Sequence, residues 1–412
     1  MKKTLLFLSF FIFLFHFSQV ITAQNNDTTT FKPSVQFGAF LQMQGVFTQD
    51  RPQSPLLDSG RGWATQLQIW RARFMAGAKL TEKTSVFMQS EILSPIGFVD
   101  DTLKKIQEPK LIILDAQAEH KVSDNFLIYA GMQLTGVNRQ GMQSPVTLMG
   151  LEFGWYQYPY NLFQNQALQN NFGRDLGVSF RGYVLNERLE IRGGIFRGRA
   201  VTKYSNLRAN LRLNYNFLDI EKEHYYSGTN LGEKEILAVG AGVDIQDDYL
   251  NIAADVFADV TVGEGALTAQ LGYMYLSGGD NTKNLKSFTP LVPNQNILFG
   301  EVGYYFSNLK LQPYIKYEAQ NMNVSDNQYI LNPNRIANNS FASNPTSQSK
   351  QNFNNVFSES RVGAGINYYI NNFNCNLKLQ YEQIFYGRFN GSNTETKSGG
   401  EVKLQLTCFL FK

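Results

Sequence analysis

The feature that most limits this chain is a side-chain alternation of period two that recurs along most of its length. At 208–217, Ala209, Leu211, Leu213 and Tyr215 share one parity, and Arg208, Asn210, Arg212 and Asn214 the other. At 250–260, Ile252, Ala254, Val256 and Ala258 alternate with Asn251, Ala253, Asp255 and Asp259. Successive side chains of a strand point to opposite faces, so these are strands with one apolar face. At 34–47, Val35, Phe37, Ala39, Leu41 and Met43 oppose Gln36, Gly38, Gln42 and Gln44. At 65–80, Trp70, Ala72, Phe74, Ala76 and Ala78 take the apolar parity against Arg71, Arg73 and Lys79. The pattern predicts sixteen strands, near 34–47, 65–80, 84–92, 111–121, 126–136, 174–185, 189–199, 207–217, 235–246, 250–260, 266–277, 295–306, 310–320, 358–370, 374–386 and 399–411.

Composition closes off the other classes. Of 412 residues, 17% are charged, and there are 2 Cys and 3 His, too few for a disulfide framework or a His-rich metal site. The formal charge of +3 includes Lys2 and Lys3 of an N-terminal segment; without them 35 basic residues face 34 acidic ones, so no nucleic-acid partner is expected. Residues 1–23 read as an export signal: a basic start, an apolar run from Leu5 to Phe17, and cleavage after Ala23. Beyond it there is no apolar run long enough for a membrane helix. The expected organisation is a signal peptide at 1–23, a short periplasmic segment at 24–33 and a β-barrel at 34–412.

One face of each strand carries no Lys, Arg, Asp or Glu except at strand ends such as Arg197, while the other is rich in ions. A soluble sandwich also alternates, but its polar face is its outside. Three features favour a transmembrane antiparallel β-barrel with lipid outside and water inside. The segments have the length of tilted membrane strands. Short turns such as Thr81-Glu82-Lys83, Asn186-Glu187 and Ser307-Asn308 alternate with long connections at 48–64, 93–110, 137–173, 278–294 and 321–357. Aromatic residues, including Tyr304-Tyr305-Phe306, Tyr368-Tyr369, Phe409 and Phe411, sit beside the short turns as an interfacial girdle would. Two connections break the alternation: 218–234 is long where a turn is due, and 246–248 is short where a loop is due.

The last hairpin tests the register. A turn centred on Gly391-Ser392 sets Leu377 opposite Leu406, Leu379 opposite Leu404 and Tyr381 opposite Val402 on the outer face, with Lys378 opposite Gln405 inside. It also sets Cys375 opposite Cys408, as a cross-strand disulfide or as two small side chains facing lipid.

Ile69-Trp70-Arg71-Ala72-Arg73-Phe74, followed by Gly77 and a short turn, resembles an early hairpin of the phosphate-selective porin (porin O and P) family of bacterial outer-membrane channels. Asp115-Ala116-Gln117-Ala118-Glu119 and Tyr129-Ala130-Gly131-Met132-Gln133 resemble its next two strands. The resemblance implies a sixteen-stranded trimeric channel whose third extracellular loop, here 137–173, folds inward as a constriction. Two departures stand out. Gly131-Met132-Gln133 runs into Leu134-Thr135-Gly136 instead of a proline turn. The lumenal charge is nearly neutral, where phosphate selectivity rests on a lumenal excess of Arg and Lys. The architecture therefore carries over, and the phosphate does not.

Inside such a barrel, Arg71, Arg73, Arg181, Arg192, Arg208 and Arg212 would line the pore on the second and sixth to eighth strands, and Asp244, Asp255 and Asp259 on the ninth and tenth. Opposed signs across a narrow pore would screen permeants by charge and dipole. Alternatively the arginines pair with neighbours such as Asp175 and Glu190 and solvate the wall. In the constriction loop, Arg139 and Glu152 carry charge, and Trp155, Tyr156, Tyr158 and Tyr160 form either a slide for sugars or aromatic solutes or an anchor against the wall. The Asn-rich 321–357 reads as a surface loop.

No catalytic, metal or cofactor site emerges: His120 and His224 lie away from the extracellular loops, and no nucleophile–base pair or phosphate-cradling loop appears. The expected function is an outer-membrane porin for passive diffusion of small hydrophilic solutes or ions, in contact with outer-membrane lipid and, by the family resemblance, a homotrimer. The alternative is a docking barrel with a loop-blocked lumen that anchors envelope or surface proteins.

Overall fold

The computed structural model describes residues 31–49, 63–93, 110–154, 173–198, 206–247, 249–277, 294–323, 355–390 and 393–411. The strands are β1 (Ser34–Gln49), β2 (Trp63–Lys79), β3 (Thr84–Leu93), β4 (Lys110–Ser123), β5 (Phe126–Leu134), β6 (Arg174–Val184), β7 (Leu189–Phe196) and β8 (Arg208–Asn216). They continue as β9 (Ile236–Gln246), β10 (Tyr249–Val262), β11 (Gly265–Ser277), β12 (Asn294–Phe306), β13 (Leu311–Asn323), β14 (Asn355–Asn371), β15 (Cys375–Asn390) and β16 (Asn393–Phe411). Each pairs antiparallel with the next, and β16 pairs with β1, so the sheet closes and leaves no edge. Among the described residues, no helix is long and apolar enough to cross a membrane.

The faces are inverted relative to a soluble protein. Leu67, Phe74, Ile113, Leu271 and Ile315 are more than half exposed on the outer face, while Gln44, Asp115, Glu190, Asn367 and Thr407 are almost wholly enclosed. An apolar exterior around a polar interior is the arrangement that lipid stabilises. Because strand direction alternates, connections after odd-numbered strands lie on one rim and those after even-numbered strands on the other. The wall is uneven in height. β14, β15, β16, β1 and β2 run 16–19 residues, whereas β5, β6, β7 and β8 run 8–11.

The expected register of the last hairpin holds residue for residue: Leu377 pairs with Leu406, Lys378 with Gln405 and Cys375 with Cys408. Both cysteines are free thiols. The single parity expected for 65–80 does not hold. β1 and β2 shift register between Gln42 and Met43, which leaves Trp70 as an extra residue between Ile69 and Arg71. A bulge of this kind re-aims side chains. Gln68 faces inward before it and Arg71 and Arg73 after it, and the Trp70 indole turns toward the interior contacts described below. A second shift, between Gln89 and Ser90, makes Leu114 the extra residue of β4 and encloses it fully. The two irregular connections are real: β8 and β9 are joined by a long segment, and β9 and β10 by a tight turn with Asp247 at φ 53°. The signal segment 1–23, most of 321–357 and the tip Gly391-Ser392 lie outside the described residues.

Mild oxidation of the folded barrel should remove both free thiols as one intrachain bond. A register slipped by two residues would move the paired Cα atoms beyond bonding range, about 7 Å, and leave both thiols titratable.

Candidate functional site

Two segments, one from each rim, meet inside the barrel. The first is 135–154, the described part of the loop after β5. The second is 217–235, the long connection after β8. The loop enters on the low side of the wall, where Asn210 Nδ2 donates to Thr135 O at 3.3 Å and Arg212 Nη1 to Val137 O at 3.1 Å. Gly242 on β9 makes this approach possible, because a Cβ there would lie 2.2 Å from Val137 O. One 3-10 turn, Gln140–Met142, then redirects the chain. On the far wall, Asn367 Nδ2 donates to Met149 O at 2.8 Å, and the Lys378 ammonium donates to the carbonyls of Leu148 and Gly150. The Leu151 amide donates to Tyr314 Oη at 3.0 Å and to Gln380 Oε1 at 3.1 Å. Finally Glu152 receives Arg71 at 2.7 and 2.6 Å and the Trp70 indole N–H at 2.5 Å.

The segment from the other rim rises to meet it. Its stem continues the β8–β9 ladder, with Phe217 N donating to Leu237 O and Asp219 N to Glu235 O, both at 2.8 Å. Above the stem, Gln143 and Tyr226 form a parallel bridge, with Ser144 N donating to Tyr226 O at 3.0 Å and Tyr226 N to Met142 O at 3.1 Å. Arg139 locks the junction: it donates to Glu221 at 2.7 and 2.6 Å, and its backbone N–H donates to Asp255 at 2.9 Å. Its guanidinium stacks 3.6 Å from the Phe257 ring. Gly228 must be glycine-sized, since a Cβ there would meet the Leu148 backbone at 2.8 Å. Tyr226 Oη donates to Glu190 at 2.5 Å, and Asn230 donates to Asp259 at 3.1 Å.

The expected pore-lining residues are all inward, and each is engaged. Arg73 pairs with Glu91, and Arg181 and Arg192 share Glu190. Arg208 reaches Asp244 at 2.6 Å and Asp175 at 3.5 Å. Arg212 holds Asp255 through two contacts of 2.7 Å. Arg208 with Asp244, and Arg212 with Asp255, thus lie side by side in contact on one stretch of wall. Trp155, Tyr156, Tyr158 and Tyr160 lie outside the described residues. Sequence reasoning placed Lys378 inside without giving it a role, and it missed Trp70, Glu221, Tyr226 and the inward fold of His224. The one available signal was the excess length of 218–234.

Local fields set the protonation states of the two segments. Burial raises the Glu152 carboxyl, but Arg71, the indole N–H and the Phe153 amide outweigh it and hold the group below the ordinary carboxylate range. Burial, reinforced by repulsion from Arg192, pulls the His224 imidazole down to about 3, so it is neutral and hydrogen-bonds to Gln117 at 3.1 Å.

The sequence matches no protein-family model. It also matches no curated protein. The fold is similar to solved outer-membrane proteins. The outer membrane channel DcaP of Acinetobacter baumannii superposes with a TM-score of 0.52 at 12% identity, covering 91% of this chain and 97% of that one. OmpT, an outer membrane protein of Vibrio cholerae in its trimer form, gives 0.51 at 11% identity, covering 92% and 100%. The anion-selective porin from Comamonas acidovorans gives 0.51 at 8% identity, covering 92% and 100%. At these identities the likeness is one of fold, a closed outer-membrane-type barrel.

Arg139→Ala leaves Glu221 enclosed without its partner, a change that costs about 3–5 kcal/mol in buried pairs. Hydrogen exchange should accelerate at 138–144 and 221–228 and stay unchanged in the strands, with Arg139→Ala/Glu221→Gln closer to wild type. The His224 effect has a fixed sign. Its pKa is 6.5 in water and about 3 in place, so the withdrawn segment binds the extra proton. The hold on 219–234 is full above 6.5 and weakens as pH falls toward 3, by at most about 1.4 kcal/mol per unit. Exchange of that segment, corrected for intrinsic rates, should rise on acidification in wild type and much less in His224→Gln.

Proposed function

We propose that the protein is an outer-membrane channel through which small hydrophilic solutes or ions diffuse passively, its path narrowed by 135–154 and 217–235. The observation that carries this reading is the loop after β5, which leaves its rim and is tied inside the barrel to walls as far apart as β8 and β15. The apolar exterior, the polar interior and the fold shared with the outer membrane channel DcaP and the anion-selective porin support it. In this reading 1–23 directs export and is removed, the barrel sits in outer-membrane lipid, and it assembles as a homotrimer like the OmpT form it resembles in fold. Charge selectivity is weak, because most of the lumenal arginines contact a carboxylate of their own. A phosphate preference, which the family resemblance would suggest, has no unpaired cationic ladder among the described residues to rest on.

One observation favours a second reading. The two segments hydrogen-bond to each other inside the lumen, and most of the described inward side chains of β8–β16 are almost fully enclosed. A barrel filled in this way would serve as an anchor or docking platform and conduct nothing.

Single-channel recording across a planar bilayer with a salt gradient separates the two. Small, steady unitary currents with a reversal potential near zero are expected; a folded, heat-modifiable barrel without conductance would favour the docking reading. Arg71→Ala with Arg208→Ala frees Glu152 and Asp244 and should move the reversal potential toward cations. No movement would mean that neither arginine faces the ion path.

A further inference from the structure

Between β4–β8 and the two lumenal segments lies a cavity of about 50 Å³. Gln117, Arg181, Arg192 and Arg212 line it from the wall, and Met142 and His224 close it, one from each segment. That volume accommodates roughly three or four water-sized centres.

Charge does not balance around it. Arg181 and Arg192 share the single carboxylate of Glu190, and Arg212 takes Asp255, so three guanidinium groups face two carboxylates. Two neighbouring acids are paired elsewhere, Glu221 with Arg139 and Asp115 with Arg174; Glu119, hydrogen-bonded to the Tyr129 hydroxyl, keeps its charge but contacts none of the three guanidinium groups. His224 adds no positive charge, being neutral.

Hydrogen bonding is also incomplete. Among the described residues, Arg192 Nη2 and Arg212 Nε are enclosed donors without a hydrogen-bond acceptor, although both guanidinium groups lie over the Tyr226 ring, at 4.7 and 5.4 Å. Gln117 presents an unpartnered Oε1 while its Nε2 faces the His224 ring at 3.1 Å. A rotation of this amide would let its oxygen accept from the ring N–H and turn its NH2 toward the cavity. An enclosed charge without a counter-charge is strongly disfavoured. Water in the cavity would satisfy the donors and leave the charge.

We propose that this cavity is a built site for one small monovalent anion of chloride or formate size, which neutralises the third guanidinium and fastens both segments to the wall. Phosphate esters and sugars are too large for it. The site does not depend on the channel reading, since a filled docking barrel would hold the anion equally well.

The test compares thermal unfolding of the whole detergent-solubilised barrel in sodium chloride or sodium formate with sodium gluconate at constant ionic strength. Gluconate is monovalent but too large to enter. The midpoint should rise saturably as chloride or formate replaces gluconate, as ligand linkage requires. Arg192→Gln should lose this dependence and Arg192→Lys should keep part of it. Identical curves in all three salts, or an unchanged response in Arg192→Gln, would overturn the proposal and leave water as the occupant. Where Arg192→Gln fails to fold, bromide-soaked wild-type crystals decide. An anomalous peak within hydrogen-bond reach of the Arg192 and Arg212 guanidinium groups supports the site, and peaks only elsewhere refute it.

Discussion

A closed sheet with an apolar exterior forces every ionised side chain of its strands toward one shared interior, and the rest of this molecule follows from how that interior is neutralised. Arg139 with Glu221, Arg212 with Asp255, Arg208 with Asp244 and Arg71 with Glu152 are contact pairs, most of them almost fully enclosed. Such pairs stabilise little on balance, because both ions lose their hydration, but breaking one is costly. They act chiefly as address labels. A guanidinium with a planar fork of donors accepts few alternative positions for its carboxylate, so each pair fixes where a segment of chain must lie. Three of these four pairs involve residues of the two lumenal segments or the backbone beside them.

Wall height decides where those segments enter. The short strands β5–β8 form the low side of the barrel, and the loop after β5 bends over it to lie against β8 and β9. The tall side, β14 to β2, provides the inward Lys378, Asn367 and Arg71 that catch its far end. Between them the loop would leave its own backbone groups unpaired, and the connection after β8 supplies partners through the Gln143–Tyr226 bridge. The two segments therefore complete each other's hydrogen bonding, as buried backbone requires.

The strand count, the antiparallel order and the register of the last hairpin were legible in the sequence because period-two alternation and charge exclusion are read residue by residue. The parity of β2 was legible only in halves. A bulge inserts one residue without any compositional mark, so Trp70 read as lipid-facing although its indole reaches Glu152. Arg71, Arg208 and Arg212 were recognisable as inward, but their partners depend on which strands adjoin and how far each is staggered. Glu221, Tyr226 and His224 were beyond reach for a different reason: nothing local in 218–234 distinguishes a segment that hangs outside the rim from one that turns up into the lumen. Its length alone broke the alternation of short and long connections.

The central claim is that the connection after β8 occupies the lumen. It is tested most directly by replacing 220–234 with a two-residue Asn-Gly turn, which the stem pairing of Asp219 with Glu235 can carry, and recording unitary conductance. The account predicts a barrel that still folds and conducts severalfold more than wild type. A folded variant whose conductance equals that of the wild type would contradict it.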